Sequence, residues 1–155
     1  MFKLSKRRMP SAQTKRDRPA FLTTMRELAQ TYQAFASYSD GHIREMGLTS
    51  PQFDVIATLG NTAGMSMKDL AEATLVTKGT LTGIIDRLEK KGFVRREVPP
   101  ENRRSFTVVL TADGEDLFEN TFAAHIAYLQ PRFESLTPAE LKQLQSLLNK
   151  LRSQF

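Results

Sequence analysis

Thr77, Lys78, Thr80 and Thr82 crowd the start of one segment, and Arg95, Arg96, Arg103 and Arg104 lie a short way beyond. Hydroxyls and a flexible ammonium donate to phosphate oxygens and base edges, and a threonine methyl can meet a thymine methyl. Guanidinium groups suit phosphate forks and narrow minor grooves. The chemistry these residue types offer is recognition of nucleic acid. Reactive chemistry is poorly supplied. His42 and His125 are the only histidines, and their spacing is not that of a metal-ligating pair. The chain has no cysteine, which excludes disulfides and thiol redox sensing. No Gly-rich phosphate loop or nucleophile elbow occurs, and Glu45, Asp54 and Asp116 show no pairing. The sequence therefore reads as a non-enzyme without metal or cofactor.

Two helices and a hairpin must position the polar residues. Ser66 with Asp69 three residues on resembles a capping box, and Met67, Leu70 and Ala71 follow at helical spacing. Thr74 to Val76 read as a turn, and Thr77 as the side-chain cap of a second helix. That helix has an apolar face of Leu81, Ile84, Ile85 and Leu88. Its opposite side carries Lys78, Thr80, Thr82, Asp86, Arg87 and Glu89. Lys90, Lys91 and Gly92 give a helix stop. Residues 93–98 and 105–110 are expected strands, joined by a tip running from Pro99 to Arg104. A helix pair followed by a basic hairpin reads duplex DNA, the second helix in the major groove and the hairpin on the backbone or minor groove. The expected DNA-contacting residues are Ser66, Thr77, Lys78, Thr80, Leu81, Thr82, Arg87, Arg95, Asn102, Arg103 and Arg104.

The remaining chain is helical by pattern. Phe21, Met25, Leu28, Tyr32 and Phe35 repeat at four and three, in a helix from Pro19 to about Met46. Thr49 with Gln52, and Thr137 with Glu140, are capping boxes with proline in the first turn. A long helix is expected from about Ala112 to Phe133. The last helix carries a seam of Leu141, Leu144, Leu148, Leu151 and Phe155, which calls for a partner surface. The fold class is mainly α with a small β wing. The expected division is a basic tail at 1–18, a dimerisation helix at 19–48, a winged helix-turn-helix at 49–111 and C-terminal helices at 112–155.

Charge supports this division. The 155-residue chain has net charge +5, placed unevenly. Residues 1–19 hold seven basic side chains against one acidic, and residues 77–110 hold eight against four. The segments between and after these are acidic on balance, which is the footprint of a nucleic-acid binder. Ordinary hydrophobic content and no membrane-length apolar run predict a soluble chain with no membrane partner. The basic start lacks a signal peptide's apolar stretch, so a cytoplasmic location is expected.

The chain resembles the MarR family of winged helix-turn-helix regulators. The resemblance rests on Gln52-Phe53, Leu70-Ala71, the Thr77–Arg96 stretch with Leu88-Glu89-x-x-Gly92, the wing, and Leu110-Thr111-x-x-Gly114. Asn102 stands where the family has an aspartate that braces the following arginine, here Arg104. Asparagine keeps an acceptor and loses the charge. The resemblance implies a homodimer through the terminal helices, with Phe21, Met25 and Leu28 joining the Leu141–Phe155 seam. It implies a pseudo-palindromic DNA site and most commonly repression. It also implies a small aromatic or phenolic effector between the dimer helices and the DNA-binding lobe, where Tyr38, His42, Phe53 and His125 are the candidates. The alternative is a winged-helix module that binds protein; that would carry exposed apolar residues on its wing.

Overall fold

Caps decide where the helices begin. The structure, a computed structural model, describes residues 19–101 and 105–155. Its helices are α1 (Phe21–Glu45), α2 (Ser50–Leu59), α3 (Met67–Ala73), α4 (Lys78–Lys90), α5 (Ala112–Phe133) and α6 (Pro138–Arg152). Thr49 and Thr137 each accept from the backbone N–H three residues on, and Gln52 and Glu140 reach back to complete both capping boxes. Thr111 caps α5 in the same way through the Gly114 N–H. Gly92 ends α4 at φ +79°, a conformation that costs glycine little.

The sheet differs from the expected two-stranded ribbon. A third strand, β1 (Met65–Ser66), pairs with β3 (Thr107–Leu110), which pairs in turn with β2 (Val94–Glu97). Both pairings are antiparallel, with Met65 opposite Val108 and Arg96 opposite Val108 from the other side. A two-residue strand is too short to show periodicity. The wing strands are also shorter than expected. Phe93 is held in the helix stop, its N–H on the Leu88 carbonyl and its own carbonyl taking the Thr111 N–H. Beyond Glu97, Pro99 and Pro100 supply no donor. β3 is the central strand, and Val108, Val109 and Leu110 are all buried.

The core collects one face of each element of the winged region. Val55, Ile56 and Leu59 of α2 meet Leu70 of α3, and Leu81, Ile84, Ile85 and Leu88 of α4. Val94, Val108 and Leu110 of the sheet and Phe118 of α5 close it. Each such side chain contributes roughly 1.5–3 kcal/mol on burial. This fixes the orientation of α4 and so decides which of its residues face outward.

The described residues up to Ala36 form one unit, and Ser37–Phe155 another. In the first, Phe21, Met25, Leu28, Tyr32 and Phe35 are all exposed. In the second, α6 buries no residue, and Leu144, Leu147, Leu148, Leu151 and Phe155 are exposed. Among the described residues, no helix is long and apolar enough to cross a membrane.

Candidate nucleic-acid interface

The outward side of α4 presents Thr77, Lys78, Thr80, Thr82 and Arg87 to solvent. Leu81, expected among the DNA contacts, is only 1% exposed and belongs to the core. Its place on the apolar face of α4 outweighs its nearness to the helix start. Thr77 occupies the N-cap position, but its hydroxyl makes no cap bond and lies 2.9 Å from the Thr80 hydroxyl. No side-chain cap covers the first N–H groups of α4, and such groups suit a phosphate oxygen. Ser66 is half-buried and committed to capping α3, accepting from the Asp69 N–H at 3.1 Å and donating to its carboxylate at 2.8 Å.

The wing arginines divide by role. Arg95 is exposed, pairs with Glu97 at 2.6 Å and reaches the Leu110 carbonyl at 3.4 Å. Arg96 turns toward α4, where its guanidinium bonds both Asp86 and Glu89. Its backbone N–H also donates to Glu89, and the guanidinium lies 5.3 Å from the Phe106 ring centre. The hydrogen bond to Asp86 raises the Arg96 pKa above its ordinary value. Half-exposed ion pairs contribute little stability. Their effect here is geometric: Arg96 is a strut between β2 and α4, and it pairs with two carboxylates of α4. Asn102, Arg103 and Arg104 lie outside the described residues.

A second cluster forms where α1, α2 and α5 meet within residues 37–155. Tyr38, His42, Phe53 and His125 are brought together, joined by Ser39, Tyr128 and Arg132, which sequence reading missed. The His42 ring stacks on Tyr128 at 4.0 Å, and Tyr128 stacks on Tyr38 at 4.4 Å. Arg132 lies over Tyr38 at 4.9 Å, and Phe53 meets the His125 ring edge-on at 4.8 Å. The two histidines approach Nδ1 to Nδ1 at 3.0 Å, with ring centres 5.3 Å apart. Those distances describe rings whose Nδ1 atoms point at one another, so one carries the proton and the other the lone pair. His125 Nε2 lies 3.0 Å from the Ser39 hydroxyl. Among the described residues, no group of three or more possible ligands could hold a metal ion.

Burial pushes the His125 pKa down, and the neighbouring His42 pushes it further in the same direction. A lowered folded-state pKa means that the unfolded chain takes the proton more readily. The stability contributed by neutral His125 is complete above the unfolded value of about 6.5 and is lost as pH falls through the folded one. The urea midpoint should therefore fall as the pH drops below about 6.5. His125→Gln should flatten that dependence; an equal slope in both proteins would contradict the assignment.

Comparison with known proteins agrees with this geometry. The pattern of the MarR family matches residues 48–106. The homoprotocatechuate degradative operon repressor of Escherichia coli is 30% identical over 122 residues, covering 78% of this chain and 82% of that protein. BpsR of Bordetella bronchiseptica, whose DNA binding is regulated by 6-hydroxynicotinic acid, is similar with a TM-score of 0.73 and 29% identity, over 84% of this chain and 98% of that one. A mutant of Escherichia coli MarR, solved in complex with operator DNA, is similar with a TM-score of 0.75 and 26% identity, over 84% of this chain and 94% of that one. The chain belongs to the MarR family of DNA-binding, winged helix-turn-helix transcriptional regulators. Its members are transcription factors and not enzymes.

Proposed function

We propose that the chain acts as a homodimeric, sequence-specific repressor that places α4 in the major groove of a pseudo-palindromic operator. The observation that carries this reading is the outward side of α4, where exposed Thr77, Lys78, Thr80 and Thr82 stand over a fully packed apolar face. In this reading residues 49–111 recognise DNA, and residues 19–48 and 112–155 supply the dimer. The basic 1–18 segment is a tail ahead of them. Lys78, Thr80 and Thr82 read base edges. Arg87, Arg95, Asn102, Arg103 and Arg104 are the proposed contacts to phosphates or the minor groove. Leu81 serves from beneath. Repression is supported by the homoprotocatechuate operon repressor's likeness to this chain.

The aromatic cluster is the proposed effector site. Stacked Tyr38, Tyr128 and His42 rings, with Phe53, His125 and the Arg132 guanidinium nearby, suit a small aromatic or phenolic anion. Regulation of BpsR by an aromatic acid supports this reading. Such a ligand relieves repression only by preferring a dimer that cannot span the operator.

DNA titration tests the recognition surface. Duplexes retained by the full chain from a random pool supply the probe. Alanine at Lys78, Thr80 or Thr82 should cost about 1–3 kcal/mol where the residue contacts a base, and should relax preference at one position. Full specificity in all three variants would remove α4 from base reading.

A further inference from the structure

We infer that Leu75 is a specificity-determining residue that meets a thymine methyl in the major groove. The inference deepens the DNA-reading function and rests on it. Leu75 is 95% exposed, although Thr74 and Val76 on either side of it are not. Thr74 is buried with its hydroxyl on the Leu70 carbonyl at 2.8 Å, and Val76 packs against the core. The Leu75 N–H donates at 2.7 Å to the Asp54 carboxylate, which reaches across from α2. The backbone is thus pinned on both sides of the leucine and through its own amide. The turn holds the Leu75 backbone in place and leaves its apolar side chain in water.

The surroundings identify what covers it. Thr77 and Lys78 lie two and three residues on, both exposed. A shallow depression between α3 and α4, which Leu75 does not line, is walled by Lys68, Lys78 and Thr82 together with Met67, Ala71 and Leu81. A single exposed leucine two and three residues ahead of an exposed hydroxyl and an ammonium offers little area to an apolar protein surface. It suits a major groove, where phosphates meet the cations and the thymine C5-methyl is the apolar group that base pairs display.

Uracil substitution tests this contact, because uracil lacks only that methyl. The duplex selected by the wild-type chain is remade with each thymine replaced in turn, and binding is titrated. Wild type should lose about three- to fivefold at one thymine of each half-site, the scale of burying one methyl group. Leu75→Ala should bind the unmodified duplex as weakly as wild type binds the uracil duplex. It should lose nothing more at that position and stay sensitive elsewhere. Leu75→Met, which keeps an apolar tip, should retain the thymine preference. A Leu75→Ala profile identical to that of wild type would overturn the inference, and so would a wild type indifferent to every thymine methyl. A wild type that retains no duplex at all would overturn the DNA-reading function itself.

Discussion

Leu144→Asp combined with Leu148→Asp should abolish the dimer and, with it, operator-strength DNA binding. Both leucines are exposed on α6, a helix with no buried residue, and share one seam with Leu141, Leu151 and Phe155. An amphipathic helix that leaves its apolar face in water is stabilised by a partner that covers it. Each leucine so covered contributes roughly 1.5–3 kcal/mol from transfer alone. Aspartate at both positions would instead bury unpaired carboxylates in each subunit, which is strongly unfavourable. The result should be monomers or unfolded chain, since obligate dimers often lack a stable monomer. DNA affinity should fall with assembly, because one half-site cannot supply the strength of two linked ones. Sedimentation and DNA titration on the same samples decide. Wild type that is monomeric at micromolar concentration and yet binds one half-site tightly would contradict the dimeric reading.

Gly114→Ala should destabilise the fold, against the usual sign for glycine in a helix. Alanine at an ordinary helical glycine stabilises by roughly 0.5–1 kcal/mol. At Gly114 an added Cβ would lie 2.0 Å from the Phe93 carbonyl oxygen and 3.3 Å from the Leu110 Cβ. The obstructing atom is backbone, so no rotamer relieves it. It is also fixed, because the same carbonyl accepts the Thr111 N–H at 3.1 Å. The cost should be about 1–3 kcal/mol or more, as for other overpacked sites. The melting temperature should fall by about 2–4 °C for each kcal/mol in a chain of this size. Gly79 in α4 is the internal control, since a Cβ there meets nothing within 4 Å. Gly79→Ala should leave the melting temperature unchanged or raise it. Equal shifts for the two variants would contradict the packing at the wing–α5 junction.

These two sites mark what sequence pattern can convey. The α6 seam was legible because a helical repeat of leucines needs no knowledge of its surroundings. The Leu110-Thr111-x-x-Gly114 motif was visible as a pattern, but its cause was not. Only the fold shows that Leu110 ends β3, that Thr111 caps α5 and that Gly114 must pass the Phe93 carbonyl. The capping boxes at Thr49 and Thr137 were local and were read correctly. Thr77 takes the expected N-cap position, but its hydroxyl meets the Thr80 hydroxyl and caps no backbone N–H. Leu81 misled because it sits in the DNA-facing turn by sequence and in the core by helical phase. Tyr38 and His42 share one face of α1, and His125, Tyr128 and Arg132 share one of α5. Residue type singles out Tyr38, His42 and His125 but not Tyr128 or Arg132, and that the two faces meet at the His42–His125 contact is tertiary information. Arg96 shows the same limit, since its partners on α4 lie seven and ten residues away across a strand-to-helix reversal.

The central claim is that two copies of this chain read duplex DNA through α4. Hydroxyl-radical footprinting on a duplex selected by the wild-type protein tests it most directly. The account predicts two protected regions related by a two-fold axis, their centres about 34–36 Å or a multiple of that apart along one face of the helix. Protection should weaken steeply with added salt as displaced counterions return. A single unsymmetrical footprint, or retention of every duplex with equal strength, would contradict it.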